Sequence, residues 1–170
     1  MLPAGTVEVV DVDDVVVEPG SIGGGTVVES ATILMSNMIK KRTNHFSVYY
    51  DEALPEVLGN FQRLEQVVIN LIQNGCEALD NPENGLTVRT EYDPQKALIS
   101  VSVEDEGCGI APEHLSHVTD PFFTTKRDSG GTGLGLSVSS GIVKEHGGTL
   151  RFVSTLGQGT ISIIELPCPE

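Results

Sequence analysis

Val101-Ser102-Val103-Glu104-Asp105-Glu106-Gly107-Cys108-Gly109-Ile110 is the stretch on which the reading of this chain turns. A β-branched run that stops at an Asp and two glycines puts a carboxylate at a strand end, where backbone can approach a flat ligand without Cβ interference. That suits a purine. Downstream come Asp120-Pro121-Phe122-Phe123-Thr124-Thr125-Lys126 and then Gly130-Gly131-Thr132-Gly133-Leu134-Gly135-Leu136. The second glycine cluster opens into an apolar segment of helical length, so free N–H groups and the positive end of a helix would face an anion there. That suits phosphates. Gly131-x-Gly133-x-x-Leu136 lacks the third glycine of a dinucleotide fingerprint and follows a polar segment, not a strand, which excludes a Rossmann reading. Neither Lys126 nor Lys144 is preceded by the glycine that a P-loop requires.

Asp105-x-Gly107-x-Gly109-Ile110, Pro121 to Lys126 and Gly131-Thr132-Gly133-Leu134-Gly135-Leu136 resemble the two glycine boxes and the phenylalanine box of sensor histidine kinase catalytic domains. Those domains belong to the ATPase superfamily shared with DNA gyrase, a heat-shock chaperone and the mismatch-repair clamp. Leu64 to Asn74 resembles the asparagine box of that family, and His146-Gly147-Gly148 and Gly157-x-Gly159-Thr160 resemble its closing segment. The similarity runs from Thr26 to Pro167 in five ordered motifs.

The resemblance implies a Bergerat-type fold with ATP and Mg²⁺ as ligands. It implies that Asn74 ligates the metal and that Asn70 faces the γ-phosphate side. Nucleotide contacts would come from Asp105, Gly107, Gly109, Ile110, Phe123, Thr124, Thr125, Lys126, Gly131, Thr132, Gly133, Leu134, Gly135, Leu136 and Thr160. Asp105 would accept from the adenine exocyclic amine, and Asn70, Asn74 and Lys126 form the catalytic set. The implied partners are a histidine-bearing dimerisation domain of the parent kinase and, through the phosphohistidine, a response regulator receiver domain. The implied location is cytoplasmic. Three departures stand out: Glu77 occupies a place where some members carry a phosphate-contacting lysine, Gly75 replaces the commoner alanine, and a glycine-rich linker precedes the first helix.

Two other functions compete with phosphotransfer: an ATP-gated clamp ATPase and a nucleotide-sensing interaction module. The clamp ATPases place a glutamate one turn before the metal-binding asparagine, whereas here that place is Asn70, and an amide is a poor general base.

A chain of 170 residues with 39% hydrophobic content suffices for one core plus an appendage. The net charge of −14 argues against binding to nucleic acid or to an anionic membrane. The first thirty residues hold six acids and no Lys or Arg. Cys76, Cys108 and Cys168 are unpaired in spacing, which points to a reducing compartment, and His114 and His117 read as a surface pair, not a metal site. The apolar run from Ala31 to Ile39 is too short to span a bilayer, and no basic, apolar leader opens the chain.

In order, Thr6 to Val17 reads as a strand, with Asp11 to Asp14 as an alternative helix start, and Pro19 to Gly25 as a linker. Residues 1–25 are thus expected to form an extension and 26–170 the ATP-binding domain. Helices are expected over Thr26 to Thr43, Phe61 to Leu79, Pro112 to Leu115 and Leu134 to His146, from apolar spacing and terminal signals. Strands are expected over His45 to Tyr50, Leu86 to Tyr92, Ala97 to Glu104, Thr149 to Ser154 and Thr160 to Leu166. The sum is an α/β two-layer sandwich, a mixed β-sheet with about three helices on one face. Asp120 to Thr132 is expected to be a lid over the phosphates, pinned by Phe122 and Phe123.

Overall fold

The computed structural model describes residues 7–8, 24–125, 128 and 131–168, with backbone only for 7, 8 and 24. Two periodicities account for its elements. Apolar residues at helical spacing produce α1 (Gly24–Arg42), α2 (Phe61–Ala78) and α4 (Gly135–Glu145), with Pro112–Leu115 a single turn, α3. Alternating residues produce β1 (Val7–Glu8), β2 (His45–Tyr49), β3 (Gly85–Asp93), β4 (Leu98–Asp105), β5 (Thr149–Thr155) and β6 (Gly159–Pro167). Helix α1 begins two residues before its expected start, so Gly24 and Gly25 of the expected linker lie in its first turn, where backbone N–H groups have no intrahelical partner in any case. Most of the expected strand over Thr6 to Val17 and the rest of that linker lie outside the described residues.

Among the described residues the sheet has six strands in the order β1-β2-β3-β4-β6-β5. Only β2 and β3 run parallel, joined through α2, and the other pairs are antiparallel. The strands present Val48, Leu86, Val88, Ile99, Val101, Val103, Ile164 and Leu166 to the helices, all of them buried. Val28, Ala31 and Ile39 of α1, Leu64, Val67, Val68, Leu71 and Ile72 of α2, and Ile142 and Val143 of α4 complete one continuous core. The opposite face carries the alternate residues, among them Arg89, Glu91, Glu104 and Val153, all exposed.

Local signals fix α2 at both ends. Asn60 is its N-cap, its side-chain oxygen accepting from Arg63 N at 3.1 Å. At the other end Arg42 reaches across from the end of α1, its Nε donating to the Cys76 carbonyl at 2.9 Å and Nη2 to those of Glu77 and Leu79 at 3.3 Å. Those carbonyls lie at the end of the helix, where intrahelical donors run out, and that of Cys76 also accepts from Leu79 N at 3.3 Å.

Helices α2 and α4 run antiparallel. Near the start of α2, Arg63 meets Glu145 at 2.6 Å and the Asn60 N–H donates to His146 Nε2 at 3.0 Å. The same ring is 2.7 Å from the Ile142 carbonyl through Nδ1. A carbonyl only accepts, so Nδ1 carries the hydrogen and Nε2 is the acceptor. Two turns further along α2, Asn70 Nδ2 donates to the Gly135 carbonyl at 3.3 Å and to Ser139 Oγ at 3.0 Å. The N-terminus of α4 is therefore held against α2 one turn from Asn74.

Candidate nucleotide site

Three elements meet at one edge of the helical layer: the end of β4, the second half of α2 and the start of α4. Asp105 closes β4 with its side chain toward the helices and is 6% exposed. One of its oxygens accepts from Gly107 N at 3.0 Å, which holds the carboxylate at the turn. A Cβ on Gly75 would lie 3.7 Å from the Asp105 Cβ and 2.7 Å from Leu86 Cδ1, so α2 passes directly over the strand end.

The loop after Asp105 is clamped on two sides. Cys108 N donates to the Ala78 carbonyl at 3.0 Å, and the Cys108 carbonyl accepts from Gly157 N at 2.7 Å. Glu106 pins the neighbouring strand, its carboxylate accepting from Gly85 N at 2.6 Å while its own N–H donates to the Gly85 carbonyl at 3.0 Å. Ile110 N donates to Ser154 Oγ at 2.8 Å, and Thr160 stands opposite Asp105 in the β4–β6 register, buried on the same face.

At the other end of the site α4 starts without a side-chain cap. Leu134 occupies its N-cap position with φ −102° and ψ −24° and makes no capping bond, so the first N–H groups of the helix point outward, together with its positive dipole end. Gly133 (φ +70°) and Phe122 (φ +65°) meet back to back, with Phe122 N donating to the Gly133 carbonyl at 2.9 Å. A Cβ on Gly133 would stand 2.4 Å from the Phe122 carbonyl carbon, which only glycine avoids. The segment between them is thus closed at its base.

Phe123 is half-buried against His114 (ring centroids 5.5 Å apart) and His117 (6.1 Å), and His117 Nδ1 lies 2.8 Å from Asp120 Oδ2. Phe122, expected to anchor the lid beside Phe123, is instead 63% exposed, because its left-handed backbone turns the ring away from the body. Lys126, Arg127, Ser129 and Gly130 of the expected lid lie outside the described residues.

Asn74 is half-buried on α2 and its amide takes no hydrogen-bond partner among the described residues. Asn70, expected to face phosphate, has its amide nitrogen engaged by α4, which makes it a strut between the two helices. His45 opens β2 and is bonded to Glu83 at 3.0 Å, where His45 first and Asn44 second hold the Glu83 carboxyl below its usual value. Burial pushes the Cys76 thiol up to about 11, opposed by Arg42 and reinforced by Glu77 and Asp105. Sequence reasoning missed Arg42, Glu106, Ser139 and Ser154, each of which bonds a partner 21 to 69 positions away along the chain, beyond any local pattern.

A sequence profile of the histidine kinase-, DNA gyrase B- and HSP90-like ATPases matches residues 59–170. The nucleotide-free catalytic domain of histidine kinase ThkA is 31% identical and superposes with a TM-score of 0.74, over 85% of this chain and 95% of that one. The chain belongs to the histidine kinase catalytic domains of this ATPase family. The expected α/β sandwich is thereby established as the fold of such a domain.

Among full-length proteins, this catalytic domain is similar to sensor histidine kinase ZraS of Escherichia coli (strain K12), 34% identical over 142 residues, which are 84% of this chain and 30% of ZraS. The chain spans less than a third of the length of curated relatives that it matches. A structure of ThkA in complex with response regulator protein TrrA is also similar, at 27% identity and a TM-score of 0.70, over 86% of this chain and 40% of that one. No helix among the described residues is long and apolar enough to cross a membrane.

Proposed function

We propose that this domain binds ATP with Mg²⁺ and donates the γ-phosphate to a histidine on a separate dimerisation domain, from which a response regulator receiver domain takes it. The observation that carries the reading is the pairing of two unlike ends in one site. A buried carboxylate at the end of β4 suits an exocyclic amine, and the uncapped N-terminus of α4, tied to α2 through Asn70, suits phosphate. Nucleotide contacts come from Asp105, Gly107, Gly109, Ile110 and Thr160 at the base. Phe123, Thr124, Thr125, Lys126 and residues 131–136 serve the phosphates.

The metal fits the donor set. The side-chain oxygen of Asn74 is a hard, neutral ligand without a partner among the described residues, and Mg²⁺ accepts such oxygens alongside those of phosphate. When bound it neutralises charge developing on the transferred group. The protein's own part is positioning: Asp105 orients the base, the first amides of α4 and Lys126 hold the phosphate oxygens, and Asn70 keeps α4 against α2.

Asn70 also weighs against a water-activating clamp ATPase, since its amide is engaged structurally and is a poor base. The proposed setting is cytoplasmic.

Titration of the chain with ATP and Mg²⁺, followed by transfer to an added dimerisation domain, tests the reading. Asn74→Ala should abolish the magnesium dependence and Asp105→Asn should weaken ATP while the apo protein melts nearly as before. ATP bound without any transfer would refute phosphotransfer and leave the nucleotide-sensing reading.

A further inference from the structure

A hydroxyl cluster lies beside Asp105 on β5 and β6. Ser154, half-buried on β5, makes three hydrogen bonds: its Oγ accepts from Ile110 N at 2.8 Å, donates to the Gly159 carbonyl at 3.0 Å, and lies 2.8 Å from Thr160 Oγ1. A serine hydroxyl has one hydrogen and two lone pairs. The Gly159 carbonyl only accepts, so it takes that hydrogen. The Ile110 N–H only donates, so it takes one lone pair. The remaining lone pair faces Thr160, whose own hydrogen must then point at Ser154. Thr160 is left with acceptor lone pairs, on the strand beside Asp105 and on the same buried face.

We propose that Ser154 is a specificity-determining positioning residue, which orients the Thr160 hydroxyl so that Thr160 and Asp105 present acceptors only and select a 6-amino over a 6-oxo purine. An exocyclic amine carries two hydrogens and satisfies two acceptors. A carbonyl at the same ring position offers no hydrogen and sets its own lone pairs against both, the situation that gives a hydrogen-bonding site its discrimination. Were Thr160 free to rotate, its hydroxyl could donate to a 6-oxo group and the contrast would shrink. The proposal rests on the reading of Asp105 as the base-recognising group.

Calorimetric titration with nonhydrolysable ATP and GTP analogues, in Mg²⁺, tests it through the ratio of the two Kd values. Ser154→Ala should lower that ratio about tenfold, the scale of one hydrogen bond in discrimination. Ser154→Thr, which keeps the hydroxyl, should retain it. Thr160→Val should lower it too, and Ser154→Ala added to Thr160→Val should lower it no further.

A purely structural Ser154 would loosen the Ile110 loop and weaken both nucleotides by the same factor, which would overturn the proposal. If Ser154→Ala does not fold, Thr160→Val still decides, because it leaves Ser154 bonded to Ile110 and Gly159, and an unchanged ratio would refute the idea. Equal binding of both analogues by the unsubstituted protein would instead remove the adenine role of Asp105, and this proposal with it. That result is read on a different protein from the others, so the two failures are distinguishable.

Discussion

A single methyl group at Gly107 should separate the loop after Asp105 from helix α2. A Cβ there would lie 2.3 Å from the Ala78 carbonyl oxygen, against 3.4 Å for the start of ordinary contact. The atom struck is backbone, so no side-chain rotation relieves it. Nor can the carbonyl retreat easily. It accepts Cys108 N at 3.0 Å, and the carbonyls around it on α2 are held by Arg42.

Overpacking a site that cannot relax costs about 1–3 kcal/mol. Breaking the Cys108 bond without replacement costs about 1–3 kcal/mol more, for a total of about 2–6 kcal/mol. For a chain of this size each kcal/mol moves Tm by about 2–4 °C, so Gly107→Ala should melt roughly 4–24 °C below the parent. ATP affinity should fall at least tenfold as well, because the Gly107 N–H that orients Asp105 moves with the loop.

Gly141→Ala supplies the contrast. Gly141 is exposed in the interior of α4, and beyond its chain neighbours and its own helix backbone no atom lies within 4 Å of its added Cβ, so the higher helix propensity of alanine should stabilise by about 1 kcal/mol and leave ATP binding alone. Scanning calorimetry of the apo proteins and calorimetric titration with ATP measure both effects. A Gly107→Ala protein with the parent's Tm and affinity would refute the close approach of loop and helix on which the site is built.

Arg42→Met should destabilise by about 1–3 kcal/mol, read as a lower urea midpoint with unchanged m-value, because the carbonyls of Cys76, Glu77 and Leu79 lose the guanidinium that donates to them. At pH 8, alkylation of the folded chain should label exposed Cys108 and spare Cys76, whose buried thiol is pushed up to about 11; equal labelling in peptide mass spectra would contradict that burial. The hydrogen bonds from His45 and Asn44 depress the Glu83 carboxyl below its ordinary 4.5, so their contribution is present above that pH and is lost as pH falls through the lowered folded value. The stability gap between parent and Glu83→Gln should therefore close as acid is added through that window, and a gap that widens would reverse the assignment.

Much of the local architecture was legible from periodicity, because the burial that stabilises a helix or strand imposes its spacing on the residues that supply it. Leu64, Val67, Val68, Leu71 and Ile72 announce α2 and are the residues it buries, and the helix ends one residue short of its expected limit. The alternation of Ile99, Val101, Val103 and Asp105 likewise placed the carboxylate at a strand end on the helix-facing side. The glycine clusters marked the turn after β4 and the start of α4, the two ends of the candidate site, since close backbone approach and left-handed turns leave few other residue choices.

What the tertiary structure alone decided is how separate segments complete one another. Nothing local states that β6 inserts between β4 and β5, yet that order is what sets Thr160 beside Asp105. Asn70 read as a phosphate-facing amide on its helix, and antiparallel packing of α2 on α4 sets its amide nitrogen against Gly135 and Ser139 at the start of α4. Phe122 and Phe123 are alike as residues, and only the left-handed turn against Gly133 sends one outward while the other packs between two histidines. Ser154 shows no pattern of its own. Its importance comes from the three groups that the sheet delivers to one hydroxyl, from positions 110, 159 and 160. Spacing along a chain encodes which face a residue shows, whereas its hydrogen-bond partners are chosen by whichever distant segments pack against that face.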